Sequence, residues 1–151
     1  MTERLYLDDL TVGDTYTSGT ATLDVEQIKV FARQYDPQPF HLDEAAAQTS
    51  FFGGLAASGW HTAAITMRLL VDSVPFDGGL IGAGTEITWP LPTRPNDVLR
   101  VKSEVLEIKP SRSKPDRGLV TCLSLTLNQH DEVVQRSLAK LLVFRRPPKV
   151  G

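Results

Sequence analysis

Ser58-Gly59-Trp60-His61-Thr62-Ala63-Ala64-Ile65-Thr66-Met67-Arg68-Leu69-Leu70-Val71 decides the fold. From Gly59 to Val71 it carries a single formal charge, Arg68, and no proline. A surface helix would show a polar face, so this one is expected to be buried nearly all round, and it is too short to cross a bilayer. Ser58 is placed to cap its amino end, and Gly59 at the first helical position leaves a backbone N–H open to close approach. Such a helix needs something to wrap it.

The wrapping is written downstream, where the hydrophobic period changes to two. Leu99, Val101, Ser103 and Val105 alternate with Arg100, Lys102 and Glu104, and Leu119 to Leu127 alternate with Cys122, Ser124, Thr126 and Asn128. Both read as strands with one face on a core, the leucines being the expected inward set. Turn signals at 90–97, 110–118 and 128–132 divide four strands, Leu80–Trp89, Val98–Ile108, Leu119–Asn128 and Val133–Phe144, and short links of this kind join antiparallel neighbours. A threonine-rich stretch, Thr15–Thr22, supplies a fifth. The expectation is an α+β fold in one domain over residues 1–151, a bent antiparallel sheet of about five strands around one central helix.

Upstream of that helix, Asp24 can cap a helix with Val25, Ile28, Phe31 and Ala32 on one face. Pro37 and Pro39 end it and stiffen a loop from Asp36 to His41. Asp43 is placed to cap a second short helix through Glu44–Gln48.

The 151 residues carry 16 basic and 18 acidic side chains, a net charge of −2 that argues against nucleic acid as a partner. The lone cysteine, Cys122, excludes an internal disulfide and a cysteine-based metal cluster. Acids stand near the amino terminus where a secretion signal needs an apolar run, and no stretch is long enough for a membrane span, so a cytoplasmic protein is expected.

The three histidines differ in setting. His130 falls in a turn between strands, and His61 on the first turn of the central helix reads as a hydrogen-bonded core or interface residue. His41 shares the proline-stiffened loop with Asp36, five residues earlier. A bent loop of that length can bring carboxylate and imidazole around one water, an arrangement suited to acid–base work near neutral pH or equally to a turn followed by a helix cap. The unpaired amides and positive end of the helix begun by Gly59 could stabilise an oxyanion, or the glycine could serve packing alone.

Tyr35-Asp36-Pro37-Gln38-Pro39-Phe40-His41, followed by Phe52 to Gly59, resembles the hydratase motif of the MaoC-like dehydratases, the (R)-specific enoyl-CoA hydratases of the hotdog-fold superfamily. In that motif asparagine lies two residues after the aspartate, proline follows, histidine stands five after the aspartate, and a glycine opens the central helix. The order of elements fits from about residue 10 to 145. Gln38 stands where asparagine is usual and carries the same amide on a longer arm.

The resemblance implies a hotdog homodimer that adds water reversibly to a trans-2-enoyl thioester on coenzyme A or a related carrier. Asp36 and His41 would be the catalytic pair, the Gly59 amide the oxyanion donor, and Gln38 a substrate contact. It implies no metal and no cofactor beyond coenzyme A as part of the substrate. The basic loop Lys109–Gly118, with Arg112, Lys114 and Arg117, could meet the coenzyme phosphates, or it could be a solvated hairpin tip. A thioesterase and a non-catalytic acyl-CoA binder on the same fold are the other expectations, the latter suggested by Gln38.

Overall fold

A computed structural model of the chain describes residues 3–149. Five strands, β1 (Thr15–Thr22), β2 (Ile81–Thr88), β3 (Val98–Pro110), β4 (Arg117–Leu127) and β5 (Val133–Phe144), form one antiparallel sheet in the order β1-β3-β4-β5-β2. Four helices, α1 (Val25–Tyr35), α2 (Pro39–Leu42), α3 (Glu44–Gln48) and α4 (Gly59–Ser73), precede β2. The sheet bends around α4, which is the hotdog architecture. None of the described helices is long and apolar enough to cross a membrane.

Capping explains the helix starts. The Asp24 carboxylate accepts the Gln27 N–H at 2.8 Å while the Gln27 side chain accepts the Asp24 N–H at 2.8 Å, a reciprocal pair that satisfies two otherwise orphaned donors. Asp43 accepts from the amides of Ala45 and Ala46 at the head of α3. The prolines do not leave 36–41 as loop throughout. Pro39 opens the single turn α2, because proline at a first helical position loses no hydrogen bond and its ring fixes φ at a helical value. His41 therefore projects from a helical turn.

Two expectations about burial are corrected. The buried residues of α4 are Thr62, Thr66 and Leu69, whereas Trp60 is 61% exposed and Val71 52%, with Met67 open beside them. One side of α4 packs on the sheet of its own chain, and the other is apolar but uncovered. In β4 the inward set is Val120, Cys122, Ser124 and Thr126, while Leu119, Leu123 and Leu125 lie half-buried on the opposite face. Small side chains leave room for the helix against the concave face. The leucines outside share their face with Lys102, Glu104, Arg136 and Lys140, their cross-strand partners or near neighbours, whose aliphatic stems cover apolar surface.

Two hydrophobic clusters sit at the ends of α4. Leu23, Ile28, Leu55, Ala57, Leu99 and Val134 gather at its start, with Phe40 packed against them. Leu7, Val74, Phe76, Val105, Val120 and Val143 gather at its finish. Each fully buried side chain such as Phe76 contributes about 1.5–3 kcal/mol. Between them two hydroxyl pairs pin the helix, Thr62 to Thr93 at 2.8 Å and Thr66 to Thr126 at 2.6 Å. Polar groups so fully buried need such partners, and the pairs fix the height of α4 over the sheet.

Candidate active site

Asp36 ends α1, His41 sits on α2, and Ser58 and Gly59 begin α4. The fold brings these four together. His41 Nε2 lies 3.2 Å from Asp36 Oδ2, with the side chains 5% and 16% exposed. His41 Nδ1 lies 2.6 Å from the carbonyl oxygen of Ala56. A carbonyl only accepts, so Nδ1 carries a hydrogen and neutral His41 presents an unprotonated Nε2. When the imidazole carries its second proton, Nε2 donates directly to Oδ2, and without it both atoms are acceptors. At 3.2 Å nothing fits between the two atoms, so a water that meets both must sit to one side of the pair.

Asp36 is held on both oxygens. Ser58 Oγ donates to Oδ2 at 2.7 Å, and Gln38 Nε2 donates to Oδ1 at 2.5 Å. Burial pushes the Asp36 carboxyl up, but the Ser58 hydroxyl, the Gln38 amide and His41 outweigh it and hold the group below its ordinary value. It is therefore ionised throughout the neutral range. Gln38 stands on the Asp36 carboxylate itself, its longer arm reaching back two residues.

Ser58 does two jobs. Its Oγ accepts the Trp60 N–H at 3.3 Å as the cap of α4 while donating to Asp36. The sequence marks it only as a cap, since nothing in the local pattern shows that Asp36 returns to it across 22 residues. Ser58→Ala is expected to destabilise the fold by about 1 kcal/mol through the lost cap. A carboxyl whose folded pKa is depressed stabilises the fold above its unfolded value, near 3.8, and that contribution is lost as pH falls through the folded one. The substitution raises the folded value, so acid unfolding, followed by circular dichroism, should begin at higher pH than in the parent.

The Gly59 N–H has no hydrogen-bond partner among the described residues. It points from the positive end of a 15-residue helix. A Cβ at position 59 would come within 2.7–2.9 Å of the Trp89 ring, so glycine is required there by close packing as well. The packing reading of the residue holds, and its amide is left free as well. Trp89 in turn donates its indole N–H to Gln135 Oε1 at 2.9 Å.

Arg94, in the β2–β3 connection, holds the segment before α4. Its guanidinium donates to the carbonyls of Gly54 at 2.9 Å, Leu55 at 3.3 Å and Phe52 at 2.5 Å, immediately before the Ala56 carbonyl that fixes His41. No motif or spacing marks this arginine, because its partners are backbone oxygens 39 to 42 residues away.

The remaining candidates lie elsewhere. His61 stacks on Phe31 with ring centres 4.6 Å apart, burial alone lowers its pKa, and its buried Nδ1 finds no partner among the described residues, so the expected core hydrogen bond is not made. His130 lies in the β4–β5 turn, its N–H given to Asn128 Oδ1 at 2.9 Å. Arg112, Lys114 and Arg117 occupy the β3–β4 tip beside Phe144, beyond the far end of α4, a helix about 22 Å long. Arg117 is paired with Asp116 at 2.8 Å. Within one chain the tip does not meet the Asp36–His41 pair.

A cavity of about 340 Å³ lies between α4 and the concave face of the sheet. Ala63, Thr66, Met67 and Leu70 line it from the helix, and Val74 from just past its end. Counted from Gly59, Ala63, Thr66 and Leu70 fall four, seven and eleven residues on, so Gly59 and the cavity share one helical stripe.

The MaoC like domain profile matches residues 10–125. Among solved structures, the MaoC-like dehydratase from Rhodospirillum rubrum is 63% identical, with a TM-score of 0.94 over 95% of this chain and 99% of that one. An uncharacterized protein of Bacillus subtilis, YdeM, is 34% identical over 92% of this chain and 99% of its own length. A 3-hydroxybutyryl-CoA dehydratase of Methylorubrum extorquens is 31% identical over 86% of this chain and 78% of its own.

Proposed function

The chain belongs to the MaoC-like domain family, and from that premise we propose that it is a hydro-lyase adding water reversibly to the double bond of a trans-2-enoyl thioester. One observation carries the reading: the Nε2 lone pair of His41 and the Oδ2 of Asp36 face each other at 3.2 Å, beside an unpaired helix N-terminal amide. A water seated beside the pair and donating to Nε2 is placed for attack, with Oδ2 alongside to orient it. His41 Nε2 takes its proton as the oxygen bonds to the β carbon, and the imidazolium returns that proton to the α carbon. The net change is one water added across one double bond. Asp36, whose basicity its donors reduce, orients the water and stabilises the imidazolium. The Gly59 N–H stabilises charge on the thioester oxygen, and donors in that role are worth about 3 kcal/mol in other enzymes.

The cavity along α4 takes the acyl chain. The relative that is a 3-hydroxybutyryl-CoA dehydratase makes a crotonyl thioester the first substrate to try. Incubation of the protein with it, following alkene absorbance and free thiol together, decides the reaction. Loss of alkene without thiol supports hydration, thiol release replaces it with hydrolysis, and binding without either leaves an acyl-CoA binder.

A homodimer covers the open side of α4. Trp60, Met67 and Val71 on the helix and Ile81 on the unpaired edge of β2 form an apolar surface of the kind monomers rarely expose. Val71→Asp should convert the species seen by size-exclusion chromatography with light scattering to a monomer; an unchanged mass places the interface elsewhere. On this reading the basic tip reaches coenzyme phosphates from the partner subunit, since it cannot within its own chain. Neutralising Arg112, Lys114 and Arg117 should raise KM for the CoA substrate several-fold with kcat retained, and an unchanged KM leaves a solvated tip.

A further inference from the structure

The floor of the cavity is polar in an unusual way. Ser103, Ser124 and Ser137 form one cross-strand row over β3, β4 and β5, and Thr126 and Gln135 form the next. All five are buried, and all but Thr126 line the cavity. Ser103 and Ser124 bond to each other at 3.1 Å, so one hydroxyl hydrogen of the pair is left over. Ser137 Oγ, a hydroxyl that can both donate and accept, lines the same cavity.

Gln135 is the decisive side chain. It is 2% exposed, and its Oε1 accepts the indole N–H of Trp89 at 2.9 Å. An indole nitrogen only donates, so the amide cannot be turned round, and Nε2 must face away from Trp89. Gln135 lines the cavity, which is the space left for that nitrogen to donate into. The lining thus offers hydroxyls that both donate and accept, one amide nitrogen that only donates, and no charged group. Burial pushes the Cys122 thiol up to about 11, so it too is neutral. A carboxylate would find no cation here, and a plain hydrocarbon would strand these donors. At the other end Leu70, Val74, Leu80 and Leu141 are fully apolar.

We infer that Gln135 and Ser137 select an acyl group carrying an uncharged oxygen acceptor, a ketone, hydroxyl or ether, partway along its chain. The inference deepens the proposed hydratase reading and rests on it for the placing of the thioester at Gly59. The polar row meets the oxygen, and the apolar end takes the carbons beyond it. Sites built to bond a substrate oxygen discriminate strongly against analogues that lack it, because their own groups are then left unpaired.

Calorimetry with unreactive saturated acyl-CoAs tests this without requiring turnover. One ligand is a straight chain, and the others are its isosteres with a ketone replacing successive methylenes. Wild-type protein is expected to bind one positional isomer at least about tenfold tighter than the hydrocarbon. Ser137→Ala should erode that preference, and Gln135→Glu, which keeps an oxygen for Trp89 but replaces the amide donor, should abolish it. Equal affinity for all ligands in the wild type, or a preference that survives both substitutions, overturns the inference. Enoyl hydration is assayed in parallel. Preference without hydration overturns the reaction and keeps the binding assignment, while hydration without preference does the reverse.

Discussion

Asp36→Ala and His41→Ala should each lower hydration of a crotonyl thioester by at least about a hundredfold, the usual contribution of a positioned acid–base group. In each variant one of the two acceptors that hold the water is gone. Without His41 no group is placed to take and return the proton, and without Asp36 the water turns freely and the imidazolium loses its counter-charge. The double variant should be scarcely slower than either single one, since groups acting on one water act as a unit. Asp36→Asn makes the test sharper. It retains the shape and an oxygen for Ser58 but removes the charge, and it should fall as far as the alanine variant. Steady-state kinetics on protein with unchanged circular dichroism reads the result, and retained turnover in folded Asp36 and His41 variants sinks the assignment.

Arg94→Ala should be the most damaging change outside the pair. Three backbone carbonyls, of Phe52, Gly54 and Leu55, lose a charged donor at once. Hydrogen bonds to charged groups contribute about 1.5–3 kcal/mol each, and because the three share one guanidinium they do not add fully. A loss of about 3 kcal/mol is expected, which in a domain of this size lowers Tm by roughly 6–12 °C. The next carbonyl along the segment, Ala56, holds His41 Nδ1, so kcat should fall as well, even at temperatures where the variant is folded. Arg94→Lys should not restore either quantity, because a single ammonium cannot reproduce the fork that spans these oxygens. Normal stability and turnover in Arg94→Ala would remove the arginine from any positioning role.

Much of the fold is legible in the chain because it is periodic. The two-residue alternation of β3 and β4, the caps Asp24, Asp43 and Ser58, and the uninterrupted apolar run of α4 are local patterns, and the elements form where those patterns place them. Which face of β4 turns inward is not local. Its leucines outweigh Val120, Cys122, Ser124 and Thr126 by hydrophobicity, yet the smaller set lies under α4, since the helix and a cavity must both fit there. The uncovered side of α4 was unreadable for a related reason. An apolar residue looks the same in sequence whether its own chain or a second one covers it.

The candidate site divides the same way. The sequence by itself determined the chemistry available: a carboxylate and an imidazole five residues apart on a proline-bound segment, and a glycine beginning a helix. Short-range spacing and backbone restriction are enough to set those. The tertiary structure alone decided how they are used. It closed Ser58 onto Asp36 across 22 residues, fixed the His41 tautomer through the Ala56 carbonyl, set Arg94 on the segment that carries it, and left the basic tip at the far end of α4. Hydrogen bonds and cavities arise between residues distant in the chain, and their geometry exists only once the sheet has closed around the helix.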